Sequence, residues 1–228
     1  LYKSNNMKKL ITLLLVLVTL NGYSQKTYPD SIIERLRVKT NYEYPDSVLH
    51  YYYQITNYRS SFKYPTKRVR PKKWLHDVDI FIVGDVSDSI MNDITQYVKT
   101  MNELLDSIEV KLVSERKGCD ILVYFGSGEG YMEYSGNRTI KNYYHLCNGL
   151  NWVPGWSGYI YQAEAFINLE NTESQKRTKH VMYEEITQCF GLIADSYDYK
   201  NSIFYEHYND LSELSELDKA IIKIHYNY

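Results

Sequence analysis

The sequence predicts an α+β fold: a mixed sheet with a long helix, a second helix late in the chain and a closing C-terminal helix, preceded by a small N-terminal helical segment. Three observations carry this expectation. Short apolar runs suited to strands recur at Val78–Val83, Ile108–Leu112, Asp120–Phe125 and Ala163–Leu169, with two-residue alternation clearest in the second and fourth. Ile90, Ile94, Val98, Met101, Leu105 and Ile108 instead recur in steps of three and four, the period of one helix face. Ser87, Ser174 and Ser215 each stand just before a helical stripe, where a serine oxygen can accept from an otherwise orphaned backbone N–H.

The elements follow in order. Residues 1–6 lie upstream of Met7, which is read as the start. Lys8 and Lys9 precede an eleven-residue apolar-rich run, Leu10–Leu20, followed by Asn21, Gly22, Tyr23 and Ser24. A basic flank, a short apolar centre and small residues before a cut describe a signal peptide over 7–24, cleaved near Ser24. The run is too short for a bilayer span, which needs about twenty residues. Cleavage leaves 23 basic against 28 acidic residues, a net charge of −5. The expected product is secreted or periplasmic, with no membrane span and no nucleic-acid footprint.

Residues 25–71 read as a tyrosine-rich helical prelude and linker. Tyr-Pro-Asp-Ser occurs at Tyr28–Ser31 and again at Tyr44–Ser47, and Ser31 with Glu34 makes a capping-box pattern. Lys67–Lys73 places five positive charges in seven residues and reads as a solvated linker before a domain over 72–228. The segment Phe125–Gly130, with three glycines, reads as a flexible loop. Ser174 opens a helix whose buried stripe is Met182, Ile186 and Cys189 or Phe190, with Gly191 at its C-cap. Ser215 opens the last helix, with Leu217, Ala220, Ile221 and Ile224 on one side.

The chemistry-bearing stretch is His180–Ser196, HVMYEEITQCFGLIADS. It resembles the zinc-protease pattern HExxHxxGxxH, in which two histidines one turn apart bind zinc and the glutamate between them activates water. Glu184 falls on the first ligand position, Glu185 on the general base, Gln188 on the second ligand, Gly191 on the turn glycine and Ala194 on the third ligand, beside Asp195. Downstream, Ser202-Ile203-Phe204 resembles the turn beneath the zinc, with Phe204 where that turn has Met. Leu214–Asp218 resembles the closing helix. The layout is similar to that of zincins, particularly matrixin-like ones. The run from Glu184 to Ser196 resembles still more an uncharacterised family of exported bacterial proteins, some described as lipoproteins, with no assigned activity.

The resemblance implies a metallopeptidase-like scaffold in which all three ligand positions have changed. His180, Glu184 and Gln188 share a helix face, but i to i+8 spans about 12 Å, so the three cannot converge on one ion. His180 with Glu184 is the best pair for a non-standard zinc site, with His145, Asp195 or His207 as further donors. No cofactor is expected by default. Two readings stay open: a non-catalytic binding or scaffolding protein derived from a metalloprotease, and a hydrolase with rearranged ligands in which Glu185 is the base. A third, an enzyme of unrelated mechanism, has no named nucleophile. Trp152, Trp156, Tyr159 and Tyr161 form a candidate binding cleft for a protein, peptide or glycan at the cell envelope.

Three cysteines, Cys119, Cys147 and Cys189, leave an odd count, with a Cys119–Cys147 disulfide as an open alternative to thiols. Asn137-Arg138-Thr139 is a glycosylation sequon. Tyrosine supplies 25 of the 34 aromatic residues, so many hydroxyls must find partners or water.

Overall fold

The computed structural model describes residues 30–228 apart from 62, 63, 69, 137, 143 and 208. The signal peptide expected over 7–24, the residues upstream of it and Asn137 of the sequon lie outside the described residues. Among the described residues no helix is long and apolar enough to cross a membrane.

The described residues open with helices α1 (Asp30–Lys39) and α2 (Asp46–Asn57) and a hairpin of β1 (Tyr58–Ser61) and β2 (Tyr64–Arg68). Strand β3 (Val78–Gly84) leads into the long α3 (Asp88–Leu104), then β4 (Val110–Val113) and β5 (Ile121–Gly126). A short α4 (Gly128–Ser135) and two single-turn 3₁₀ segments precede β6 (Gly149–Trp152). The small hairpin β7 (Gly155–Trp156) and β8 (Tyr159–Ile160) follows, then β9 (Ala163–Asn168), α5 (Gln175–Gln188) and α6 (Glu216–Asn227).

The main sheet has five strands in the order β4-β3-β5-β9-β6, the first four parallel and β6 an antiparallel edge. Strand alternation sorts its two faces. Val78, Ile80, Ile121, Val123, Phe125, Ala163, Ala165 and Ile167 point into the large core, which receives Ile94, Tyr97 and Met101 of α3 and Val181, Met182 and Ile186 of α5. Phe166 lies on the other face and stacks on Tyr131 of α4, centroids 4.8 Å apart. The expected α+β architecture is therefore present, with Ser87, Ser174 and Ser215 capping α3, α5 and α6.

Three expectations are corrected, and the thiol reading of the cysteines holds. Phe125–Gly130 is not a loop: it ends β5, and Ser127 accepts from the Gly130 N–H and starts α4, which Gly136 ends at φ +73°. The glycines masked this helix because their propensity is poor while the cap is local. Ser31 is no N-cap, since α1 already begins at Asp30; α2 likewise begins at Asp46, the aspartate of the second Tyr-Pro-Asp-Ser copy. Lys67–Lys73 is no plain linker either. It starts within β2, and Lys73 is bridged to Tyr159. All three cysteines are thiols, Cys189 buried and the others half-buried.

One buried carboxylate closes the C-terminal part. Asp218 is fully buried. Its Oδ1 accepts from Ser202 Oγ at 2.5 Å, and Oδ2 accepts from the Ser215 N–H and hydroxyl at 2.9 and 2.7 Å. The Ile203 N–H lies 3.3 Å from both oxygens. Tyr51 of α2 donates to Ser202 Oγ at 2.9 Å, so the first helices join the same network. Burial pushes the Asp218 carboxyl up, and these hydrogen bonds pull it back. Asp218→Ala removes the carboxylate half of the α6 capping box and strands several buried donors, and is expected to cost about 3 kcal/mol in urea unfolding. A loss below about 1 kcal/mol would contradict this account of the turn.

Candidate functional site

The site lies where β6 passes over α5. Alternation along β6 turns Gly149 and Asn151 toward α5 and Leu150 and Trp152 to the other face, in register with Ile167, Ala165, Phe166 and Glu164 of β9. Helix α5 contributes His180, Glu184, Glu185 and Gln188, and the following turn contributes Ala194 and Asp195. Gly149 is required by contact: a Cβ there would stand 2.6 Å from Glu185 Oε1 and from Val181 Cγ1. Gly191 is required twice over, at φ +95° and with a Cβ position 1.9 Å from the Lys72 carbonyl.

A chain of amides and carboxyls runs through the site. Asn151 Nδ2 donates to Glu185 Oε2 at 2.8 Å and also to Gln188 Oε1. Gln188 Nε2 in turn donates to Asp195 Oδ1 at 2.7 Å. Glu185 is only 7% exposed, and burial, aided by the Asp195 charge and opposed by the Asn151 hydrogen bond, pushes its carboxyl up to about 8. Glu184 points elsewhere, as adjacent helix positions about 100° apart must. Its Oε2 lies 3.7 Å from His180 Nε2. Burial, Asp195 and Glu185 all raise the Glu184 carboxyl, while 20% of its side-chain surface stays open to water.

His180 is buried and held neutral. Its Nδ1 lies 3.2 Å from the Leu211 carbonyl, an acceptor, so Nδ1 carries the proton. Burial and the Arg177 charge lower the imidazole to about 4.

These residues do not fit a zinc centre. Zinc takes four donors at about 2.0–2.3 Å. Gln188 is a neutral amide occupied by Asn151 and Asp195, and Ala194 is a buried methyl. Among the described residues no group of three or more His, Cys, Asp or Glu is placed to hold an ion. His145 lies exposed on the 3₁₀ segment Tyr144–Leu146, and His207 is exposed with its ring against Tyr197 and Tyr205. Trp152 is on the face of β6 away from Asn151, while Trp156 and Tyr159 pair across the β7–β8 hairpin, and Tyr161 is exposed just beyond it. Sequence reasoning missed Asn151 and Gly149. Their signal was the alternation Gly-Leu-Asn-Trp on an edge strand, small and polar against large and apolar.

The carboxyl and imidazole shifts carry opposite pH signatures. His180 and His225 both sit near 4 in the fold against an ordinary 6.5, so the unfolded chain binds more protons between those values and stability rises with pH there. Glu185 sits near 8 against 4.5, so the folded chain holds the extra proton and stability falls as pH rises toward 8. From pH 6.5 to 8 the Glu185 contribution is a loss of about 2 kcal/mol, and Glu185→Gln should flatten it. Identical slopes for the two proteins in urea titrations over that range would contradict the assignment.

The family model described as "Protein of unknown function (DUF2927)" matches residues 48–228. Among solved structures, the crystal structure of myroilysin superposes with a TM-score of 0.45 at 13% identity, covering 70% of this chain and 89% of that one. A second structure of myroilysin gives 0.43 at 12%, covering 69% and 96%. No curated protein matches the chain. The matched span runs from within α2 to the last residue, so it includes α5, β6 and the Asp218 network, and the chain belongs to the DUF2927 family.

Proposed function

We propose that this protein is a non-catalytic binding or scaffolding protein, derived from a metalloprotease, whose zincin-like domain has exchanged its zinc ligands for a hydrogen-bonded chain. One observation carries the reading: the single amide of Asn151 engages both Glu185 and Gln188, and Gln188 engages Asp195. The groups that a hydrolytic centre would aim at water or metal are spent on one another. A fixed polar cross-link of this kind stiffens the strand–helix contact, which suits recognition. The charged flank and apolar run before Ser24 support action outside the cytoplasm, at the cell envelope.

A second reading has its own observation. A carboxyl held near 8 is poised for general base or acid work, and Glu185 stands at the position of the zincin base. Its access argues against that role. Oε1 points at Gly149 of the sheet edge, Oε2 is taken by Asn151, and almost no surface remains for a substrate.

Metal analysis of protein purified without chelators separates the two readings. The expected result is substoichiometric zinc, unchanged in His180→Ala and Glu184→Ala, and no cleavage of a peptide library after zinc is added. Stoichiometric zinc lost in either variant, or cleavage abolished by Glu185→Gln, would establish the hydrolase instead.

A further inference from the structure

The β7–β8 hairpin presents aromatic rings that the fold does not use. Trp156 is 78% exposed, and its cross-strand partner Tyr159 and the next outward residue, Tyr161, are also open, while Ile160 between the tyrosines is buried. The turn joining the pair is tight: Ser157 and Gly158 both take positive φ, 53° and 96°. The hairpin is also braced from outside. The Lys73 N–H donates to the Gly158 carbonyl at 3.1 Å, and the Ile160 N–H donates to the Lys73 carbonyl at 3.1 Å. A Cβ on Gly155 would meet Lys72 Cδ at 2.7 Å, so that lysine stem lies along the hairpin. Exposed rings on so fixed a backbone lose little entropy on contact.

The brace is cationic. Lys73, bridged in parallel to Tyr159, donates to the His225 carbonyl at 3.5 Å, Lys72 on the Gly155 side donates to the Val153 carbonyl at 3.4 Å, and Arg70 is exposed just upstream. Neither Arg70 nor Lys73 is ion-paired with an Asp or Glu among the described residues. Glu164, opposite Trp152 in the sheet, accepts from Tyr131.

We infer that this hairpin and its brace form a binding site for an acidic polysaccharide, with Trp156 and Tyr159 stacking on sugar rings and Arg70 and Lys73 meeting the carboxylates. The ring faces are electron-rich and attract the C–H face of a pyranose, while indole N–H and phenol O–H reach its hydroxyl rim. The guanidinium of Arg70 suits a carboxylate fork. Two cations are few for a phosphodiester chain, which binds largely through many such contacts. The inference rests on the binding-protein reading and names its partner class.

The full chain is tested by affinity electrophoresis through gels containing polygalacturonate or neutral dextran, with parallel binding to an oligo-dT strand and to phosphatidylcholine/phosphatidylglycerol vesicles. Retardation is expected with polygalacturonate alone, weakened roughly tenfold by Trp156→Ala and by Arg70→Glu and declining with salt. Trp156→Phe should recover part of it, and neither exposed substitution should move the melting temperature. Equal retardation in dextran, no change in Trp156→Ala, no retardation at all, or retention by oligo-dT or vesicles would overturn the site. Those failures leave the zinc and cleavage results untouched, so the two readings fall separately.

Discussion

A carboxyl buried between a helix and a sheet must find a hydrogen-bond partner, and the arrangement around α5 follows from how Glu185 finds one. Its partner, Asn151, sits on the edge strand, which is thereby pinned to the helix at a fixed register. The contact is close enough that position 149 must lack a side chain. The amide also takes Gln188, which carries the chain onward to Asp195 in the next turn. Removing one member leaves the others buried and unsatisfied, the expensive case for polar groups in a low-dielectric interior.

The same helix is fixed at its C-terminus by the segment before β3 and by the last helix. The Trp74 indole donates to the Cys189 carbonyl at 3.1 Å, and the Tyr226 hydroxyl donates to the Phe190 carbonyl at 2.9 Å. His225 Nε2 faces the Lys72 carbonyl at 2.9 Å and must carry the proton, so Nδ1 accepts from Tyr52 at 3.1 Å. These bonds satisfy carbonyls that a helix end leaves open. They also draw α2, the Lys72–Trp74 strap and α6 around the site. The result is a scaffold stiff at its centre, with its exposed aromatics out on the hairpin.

Much of this was legible in the sequence because it is local. Period and caps located β3, α3, β5, β9, α5 and α6, since each is written in consecutive residues. The altered ligand positions were also visible, because His180, Glu184, Glu185 and Gln188 lie on one helix. Asn151 was not: its partners are 34 and 37 residues away, and only strand pairing brings it there. Helix α4 was hidden by its glycines. The tyrosine excess is explained only in part by the surface. Tyr51, Tyr52, Tyr97 and Tyr226 bury their rings and bond to Ser202, His225, Thr187 and Phe190. Each pairing spans at least 36 residues, so no pattern along the chain could reveal it.

On the proposed reading, hydrogen bonds among Asn151, Glu185, Gln188 and Asp195 stand in place of metal ligation. The side-chain amide protons of Asn151 and Gln188 report on it directly in ¹H–¹⁵N spectra of chelator-treated protein, before and after one equivalent of zinc. Two amide groups protected from solvent exchange and unmoved by zinc are expected. Freely exchanging amides, or a stoichiometric zinc-induced shift of either, would contradict it.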